Sequence, residues 1–177
     1  MRSNATVRRA LAIAFASLAC AFCMATRGGP AAGQVAPPLV IAALDGSTFD
    51  LSKQRGHIVI VNFWATWCPP CRQEMPLLNA FAERHHADGI VLLGLSVDRR
   101  RDRNDVVEAM RPFHYAAGIA DGAKANGFGP PQALPITYVV DAEGVVRTIL
   151  LPGRAVLTEA ALEGAVAPLL AQSHPAE

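Results

Sequence analysis

The chain has 177 residues, with 51% hydrophobic residues and a formal net charge of +1, a composition that suits one globular domain with its own core rather than a disordered or repetitive chain. Residues 1–27 contain four of the 16 basic residues (Arg2, Arg8, Arg9 and Arg27) and none of the 15 acidic ones, so the remainder carries 12 − 15 = −3. A body that is weakly acidic argues against nucleic acid as a partner.

Three arginines precede an uncharged, alanine-rich run from Ala10 to Thr26, and Arg27 closes it. A basic start followed by an apolar run is the pattern of a bacterial export signal. Seventeen uncharged residues also fall at the short end of a membrane span, so residues 1–27 are read as a signal or membrane-anchor segment. Arginines before the run outnumber those after it, which places the body outside the cytoplasm. The expected location is the periplasm, held to the inner membrane by an uncleaved segment, with a soluble periplasmic form after cleavage as the alternative. Residues 28–37 are rich in Gly, Pro and Ala and read as a flexible linker, and residues 38–177 as the folded domain.

Within the domain, residues 39–43 and 48–51 flank Asp45-Gly46 and predict an N-terminal β-hairpin. Ile58 to Trp64 is a nearly continuous apolar, β-rich run, as expected of a strand buried on both faces. After Ala65-Thr66-Trp67, the sequence Cys68-Pro69-Pro70-Cys71 opens a predicted helix over 69–86. Cys71, Met75, Leu78 and Ala82 form its apolar stripe, and Pro76 is expected to kink it. Residues 90–97 form a second buried strand, and a strand, helix, strand order implies a right-handed parallel crossover. The charged run from Asp98 to Asp105 reads as a solvated start to a short helix over 104–111, with a docking patch as its other reading. Residues 115–120 predict a short strand and 121–128 a short helix, followed by the stiff loop Gly129-Pro130-Pro131-Gln132. Residues 134–141 and 145–151 predict an antiparallel pair, and 157–170 a closing helix.

Two cysteines three residues apart at a helix start can alternate between dithiol and disulfide. Cys68, at the positive pole of the helix dipole and expected to face solvent, should ionise more readily and attack; Cys71 should resolve the mixed disulfide. The other pair, Cys20 and Cys23, falls inside the apolar segment. No second CxxC or HxxxH follows in the body, which counts against a zinc site.

The stretches VNFWATWCPPCRQEMP and LPITYVVDAEG resemble the thioredoxin superfamily, and within it the membrane-anchored TlpA/ResA/CcmG-like thiol–disulfide oxidoreductases, over about residues 38–170. The resemblance implies an α/β thioredoxin fold: a central mixed sheet flanked by helices on both faces, with an N-terminal β-hairpin extension. It places Pro135 at a cis-proline beside the dithiol, where the Leu134 backbone pairs with an extended substrate. Asn62 stands where ordinary cytoplasmic thioredoxins carry a buried aspartate, and asparagine cannot take a proton. The TlpA/ResA-like branch is similar in having a glutamate at the position of Glu74, one turn after Cys71, and the resemblance implies that Glu74 handles the Cys71 proton, with Trp67 as an apolar substrate contact and Trp64 in the core.

The expected activity is protein-disulfide reduction through Cys68 and Cys71, with no cofactor beyond that redox-active disulfide. The resemblance implies partners such as apocytochrome c or a copper-site assembly protein, recharged by a membrane thiol electron donor. Two alternatives remain at this level. A copper-delivery module would need a placed histidine, for which His114 is the candidate. A thiol peroxidase would want a threonine beside a single reactive cysteine, and Thr66 precedes Cys68 by two residues.

Overall fold

The computed structural model describes residues 29–153 and 157–173. Eight strands and three helices follow in the order β1 (Leu39–Ala42), β2 (Thr48–Asp50), β3 (Val59–Trp64), α1 (Pro69–Arg84), β4 (Val91–Ser96), α2 (Arg103–Met110), β5 (Ala116–Ile119), β6 (Ala125–Asn126), β7 (Ile136–Val140), β8 (Val146–Leu150) and α3 (Glu159–Ser173). The main sheet has the order β5-β4-β3-β7-β8, with β3, β4 and β5 parallel and β7 and β8 antiparallel to their neighbours. All six residues of β3 are buried, as its apolar run, interrupted only by Asn62, requires of a strand with neighbours on both edges and layers on both faces.

The side chains of β3 alternate between two cores. Ile60 and Trp64 join Met75, Leu78 and Phe81 of α1, Val106 of α2 and Leu162 of α3. Val59, Val61 and Phe63 join Leu39 and Ile41 of β1, Phe49 of β2, and Phe128 and Tyr138. The three α-helices of the described residues thus share one face, and a small sheet of order β2-β1-β6 covers the other together with the short 3-10 helix Leu51–Gln54, whose Leu51 joins the second core. The cause is topological: β3, β4 and β5 step in one direction, and right-handed crossovers taken in one direction leave α1 and α2 on the same side. Each large apolar side chain so buried contributes about 1.5–3 kcal/mol.

The N-terminal hairpin forms as expected, with Ile41 opposite Phe49. The helix predicted over 121–128 does not form. Gly122 and Gly129 have positive φ, and Ala125 and Asn126 extend as β6 to pair with Val40 and Leu39. The stretch read as a linker lies along the domain from Gly29. Gly33 N–H donates to Val146 O at 2.7 Å, Val146 N–H to Gln34 O at 2.9 Å, and Ala36 N–H to Gly144 O at 2.8 Å. α1 runs unbroken through Pro76. No helix of the described residues is long and apolar enough to cross a membrane; the apolar segment 10–26 lies outside them.

The C-terminal end of α1 is fastened to α3. His85 Nε2 meets Glu163 Oε1 at 2.9 Å and its Nδ1 meets Asp88 Oδ2 at 2.7 Å, while Arg84 pairs with Glu159 at 2.8 Å. Burial opposes protonation of His85, but its two carboxylate partners outweigh that and hold its pKa above the ordinary 6.5. A raised histidine pKa stabilises the fold fully below the unfolded value and loses that contribution as pH rises through the folded value. Stability to urea should therefore decline from pH 6 upward by the amount this clasp supplies, about 0.2–1 kcal/mol for so exposed a set. Glu163→Gln, which leaves Asp88 on the ring, should reduce that slope, and an identical slope in the variant would show the Glu163 contact inactive.

Candidate active site

Strand β3 delivers Ala65-Thr66-Trp67-Cys68 at its C-terminal end, beside the end of β4, where Trp64 and Ser96 are the last register pair. Cys68 is the N-cap of α1 and Pro69 and Pro70 are its first two residues, positions where a missing N–H costs a helix nothing. The consequence for the sulfur is specific. Cys71 N–H points at Cys68 Sγ at 3.3 Å, and neither intervening proline has a donor to add.

Cys68 and Cys71 are joined as a disulfide with their Cα atoms 5.3 Å apart. Cys71 is 2% exposed and Cys68 5%, so the expectation that Cys68 faces solvent needs correction. Its sulfur is tied to that of Cys71, against the first turn of α1. Cys68 nonetheless lines an open groove of about 500 Å³ whose walls include Trp67, Val97 and Leu134, a groove that Cys71 does not line. Trp67 is 67% exposed and Trp64 fully buried, which is the division of labour expected of the two tryptophans.

The Leu134–Pro135 peptide is cis. Its two residues face different cavities: Leu134 the Cys68 groove, and Pro135 a second cavity of about 510 Å³ that Glu74 and Leu157 also line. Glu74 lies three residues beyond Cys71, about 4.5 Å along the helix. It is 5% exposed, and its Oε1 accepts Leu157 N–H at 2.9 Å. Burial raises the Glu74 pKa above the ordinary 4.5, and the Leu157 hydrogen bond opposes this only in part. Asn62, 1% exposed, donates from Nδ2 to Thr137 Oγ1 at 2.9 Å, on the wall of the same cavity.

A family model described as the AhpC/TSA family matches residues 32–149. The chain belongs to the AhpC/TSA family. Within it, the chain is 32% identical over 125 residues to the thiol-disulfide oxidoreductase ResA of Geobacillus thermodenitrificans, covering 68% of this chain and 69% of that one. It is 29% identical over 114 residues to the ResA of Bacillus cereus, covering 64% of this chain and 66% of that one. A Chlorobium tepidum structure assigned as thiol:disulfide interchange protein DsbE superposes with a TM-score of 0.69 over 79% of this chain and 98% of its own, at 23% identity, a likeness of fold. This AhpC/TSA-family chain is thus a thioredoxin-fold member of the ResA-like thiol–disulfide oxidoreductases.

Of the residues singled out in its sequence, Trp67, Cys68 and Leu134 share one cavity and Glu74 and Pro135 the other, with the disulfide joining the first to α1. The candidates for the alternative chemistries lie elsewhere. His114 is 78% exposed and paired with Glu83 at 3.0 Å, twelve residues and about 18 Å along α1 from Cys71. The Thr66 hydroxyl donates to Asp98 Oδ1 at 2.7 Å. Sequence reasoning missed Asp98, which it assigned to a solvated charged run. The residue is 4% exposed, and the apolar strand that it ends was the available signal.

Proposed function

We propose that this protein is an exported reductase of disulfides in partner polypeptides. The observation that supports it most is the unequal setting of the two cysteines: Cys68 lines the groove and has, among the described residues, a single facing donor, the Cys71 N–H, while Cys71 lies outside the groove, 2% exposed and one helical turn before Glu74 on α1. In the dithiol state the Cys68 thiolate attacks one sulfur of a substrate disulfide. The substrate S–S bond breaks, a mixed disulfide forms and one substrate thiolate leaves. Cys71 passes its proton to Glu74 and attacks Cys68 Sγ; the mixed disulfide breaks, the second substrate thiolate leaves, and the Cys68–Cys71 bond closes. Two electrons have then moved from the protein to the substrate.

Trp67 offers an apolar platform to the chain flanking the substrate cysteine, and Leu134 offers its backbone to an extended strand. The substrates that fit this reading are exported proteins whose cysteines must stay reduced, such as apocytochrome c or a copper-site assembly protein. A membrane thiol donor facing the same compartment would restore the dithiol. Residues 1–27 would carry the chain across the membrane and hold it there.

A thiolate facing one amide is stabilised less than one facing several, so the dithiol should give up its electrons readily. The potential is expected nearer to about −270 mV than to about −120 mV, thioredoxin's and a strong oxidant's values respectively. Equilibration of the protein against defined thiol buffers measures it. A value more oxidising than about −170 mV, above that of an isomerase-type pair, would replace the reductase reading with an oxidase or isomerase.

A further inference from the structure

Asp98 follows the end of β4 and begins an arginine-rich run, yet it is buried. Its carboxylate collects three donors. Thr66 N–H reaches Oδ2 at 2.9 Å, the Thr66 hydroxyl reaches Oδ1 at 2.7 Å, and the Ser96 hydroxyl reaches Oδ2 at 2.6 Å. The direction of the last is fixed by Asp98 itself, whose N–H donates to Ser96 Oγ at 3.0 Å and leaves the serine hydrogen for the carboxylate. An amide in place of the carboxylate would offer one accepting oxygen and turn an NH₂ toward a group that also donates.

What this cluster holds is the turn in front of the nucleophile. Thr66 is two residues from Cys68, and Cys68 N–H closes back on Ala65 O at 3.1 Å. Two residues span at most about 7 Å, so the carboxylate is bonded to the near end of the short turn that carries the reacting cysteine. Val97, its chain neighbour, lines the same groove as Cys68. A fixed negative charge there disfavours the Cys68 thiolate, in opposition to the Cys71 N–H. Arg72 and Arg99, next in sequence to Cys71 and Asp98, are exposed, where solvent and salt screen their charges.

We propose that Asp98 is a positioning residue of the dithiol: through both polar groups of Thr66 it fixes the turn that presents Trp67 and Cys68 to the groove, and it sets a negative charge behind the attacking sulfur. The assignment rests on the thiol–disulfide reading above. Reduced full-length protein in detergent, as wild type, Asp98→Asn, Thr66→Val and Thr66→Ser, is titrated by the rate of Cys68 alkylation with iodoacetamide, and each form is assayed for reduction of insulin. Asp98→Asn should raise the thiolate fraction at pH 7 about three- to tenfold, the order expected for a unit charge at this range. Thr66→Val should leave that fraction in place but slow insulin reduction about tenfold, and Thr66→Ser, which keeps the hydroxyl, should restore the rate. A wild-type thiolate fraction in Asp98→Asn would overturn the proposal, since a purely structural role moves only the melting temperature. A wild-type rate in Thr66→Val would overturn it as well, and that variant decides the matter if Asp98→Asn does not fold. If the wild type fails to reduce insulin while the Asp98→Asn titration shifts as expected, the functional reading falls and Asp98 keeps its hold on Cys68.

Discussion

Cys71→Ala is expected to end turnover and leave the protein covalently joined to its substrate through Cys68. Among the described residues the resolving thiol is the only group placed to break the mixed disulfide from within, because Cys71 is one helical turn from Cys68 and its own N–H already faces that sulfur at 3.3 Å. Insulin reduction should fall by about 10³-fold or more, as when one member of a reacting unit is removed. A one-to-one adduct should meanwhile accumulate and be visible by intact mass without reductant. Cys68→Ala should lose activity equally and form no adduct, since Cys71 is 2% exposed and does not line the groove. An adduct on Cys71 in the Cys68→Ala protein, and none in Cys71→Ala, would reverse the two roles. The trap also reaches the question of partners, because the captured polypeptide in cells is the substrate.

How far the sequence carried these conclusions depends on where each signal resides. The β3–CxxC–α1 unit was legible because its signals are local: an apolar run sets the strand, two prolines open the helix, and the apolar stripe of α1 faces the core. Pro135 was placed through resemblance, and its cis peptide is present. The misses are nonlocal. Residues 121–128 carry no strand pattern of their own; β6 exists because Asn126 and Ala125 pair with β1 some 85 residues earlier, between two glycines at positive φ. The Gly/Pro-rich stretch after residue 28 looked flexible by composition, yet its backbone bonds to the 144–146 segment. Asp98 was hidden by its arginine neighbours, and only the adjacency of β3 and β4 brings Thr66 to it. Cys68 was expected in solvent because a helix N-cap usually is; joined to Cys71, it is 5% exposed and reaches only the wall of the groove.

Glu74→Gln is expected to separate the chemistry of resolution from the stability of the fold. Cys71 must lose a proton before it attacks, and Asn62, which donates to Thr137 at 2.9 Å, cannot take it. Glu74 is the carboxyl one turn along α1, and burial holds its pKa above the ordinary 4.5, the direction that suits a group exchanging a proton with a thiol. Loss of a general base of this kind slows its step by about 10²-fold, so single-turnover decay of a preformed mixed disulfide should slow by that order while its formation through Cys68 proceeds at the wild-type rate. The stability effect has the opposite sign. A carboxyl whose folded pKa lies above its unfolded value favours the fold below about 4.5 and loses that contribution as pH rises through the folded value. Glutamine carries no such charge and can still accept the Leu157 N–H through its carbonyl oxygen. Urea unfolding at pH 8 should therefore find Glu74→Gln at least as stable as wild type, with the difference vanishing toward pH 4. A variant that resolves mixed disulfides at the wild-type rate across pH 6–9 would confine Glu74 to holding Leu157, and one that is less stable at pH 8 would show that the Leu157 bond outweighs the buried charge.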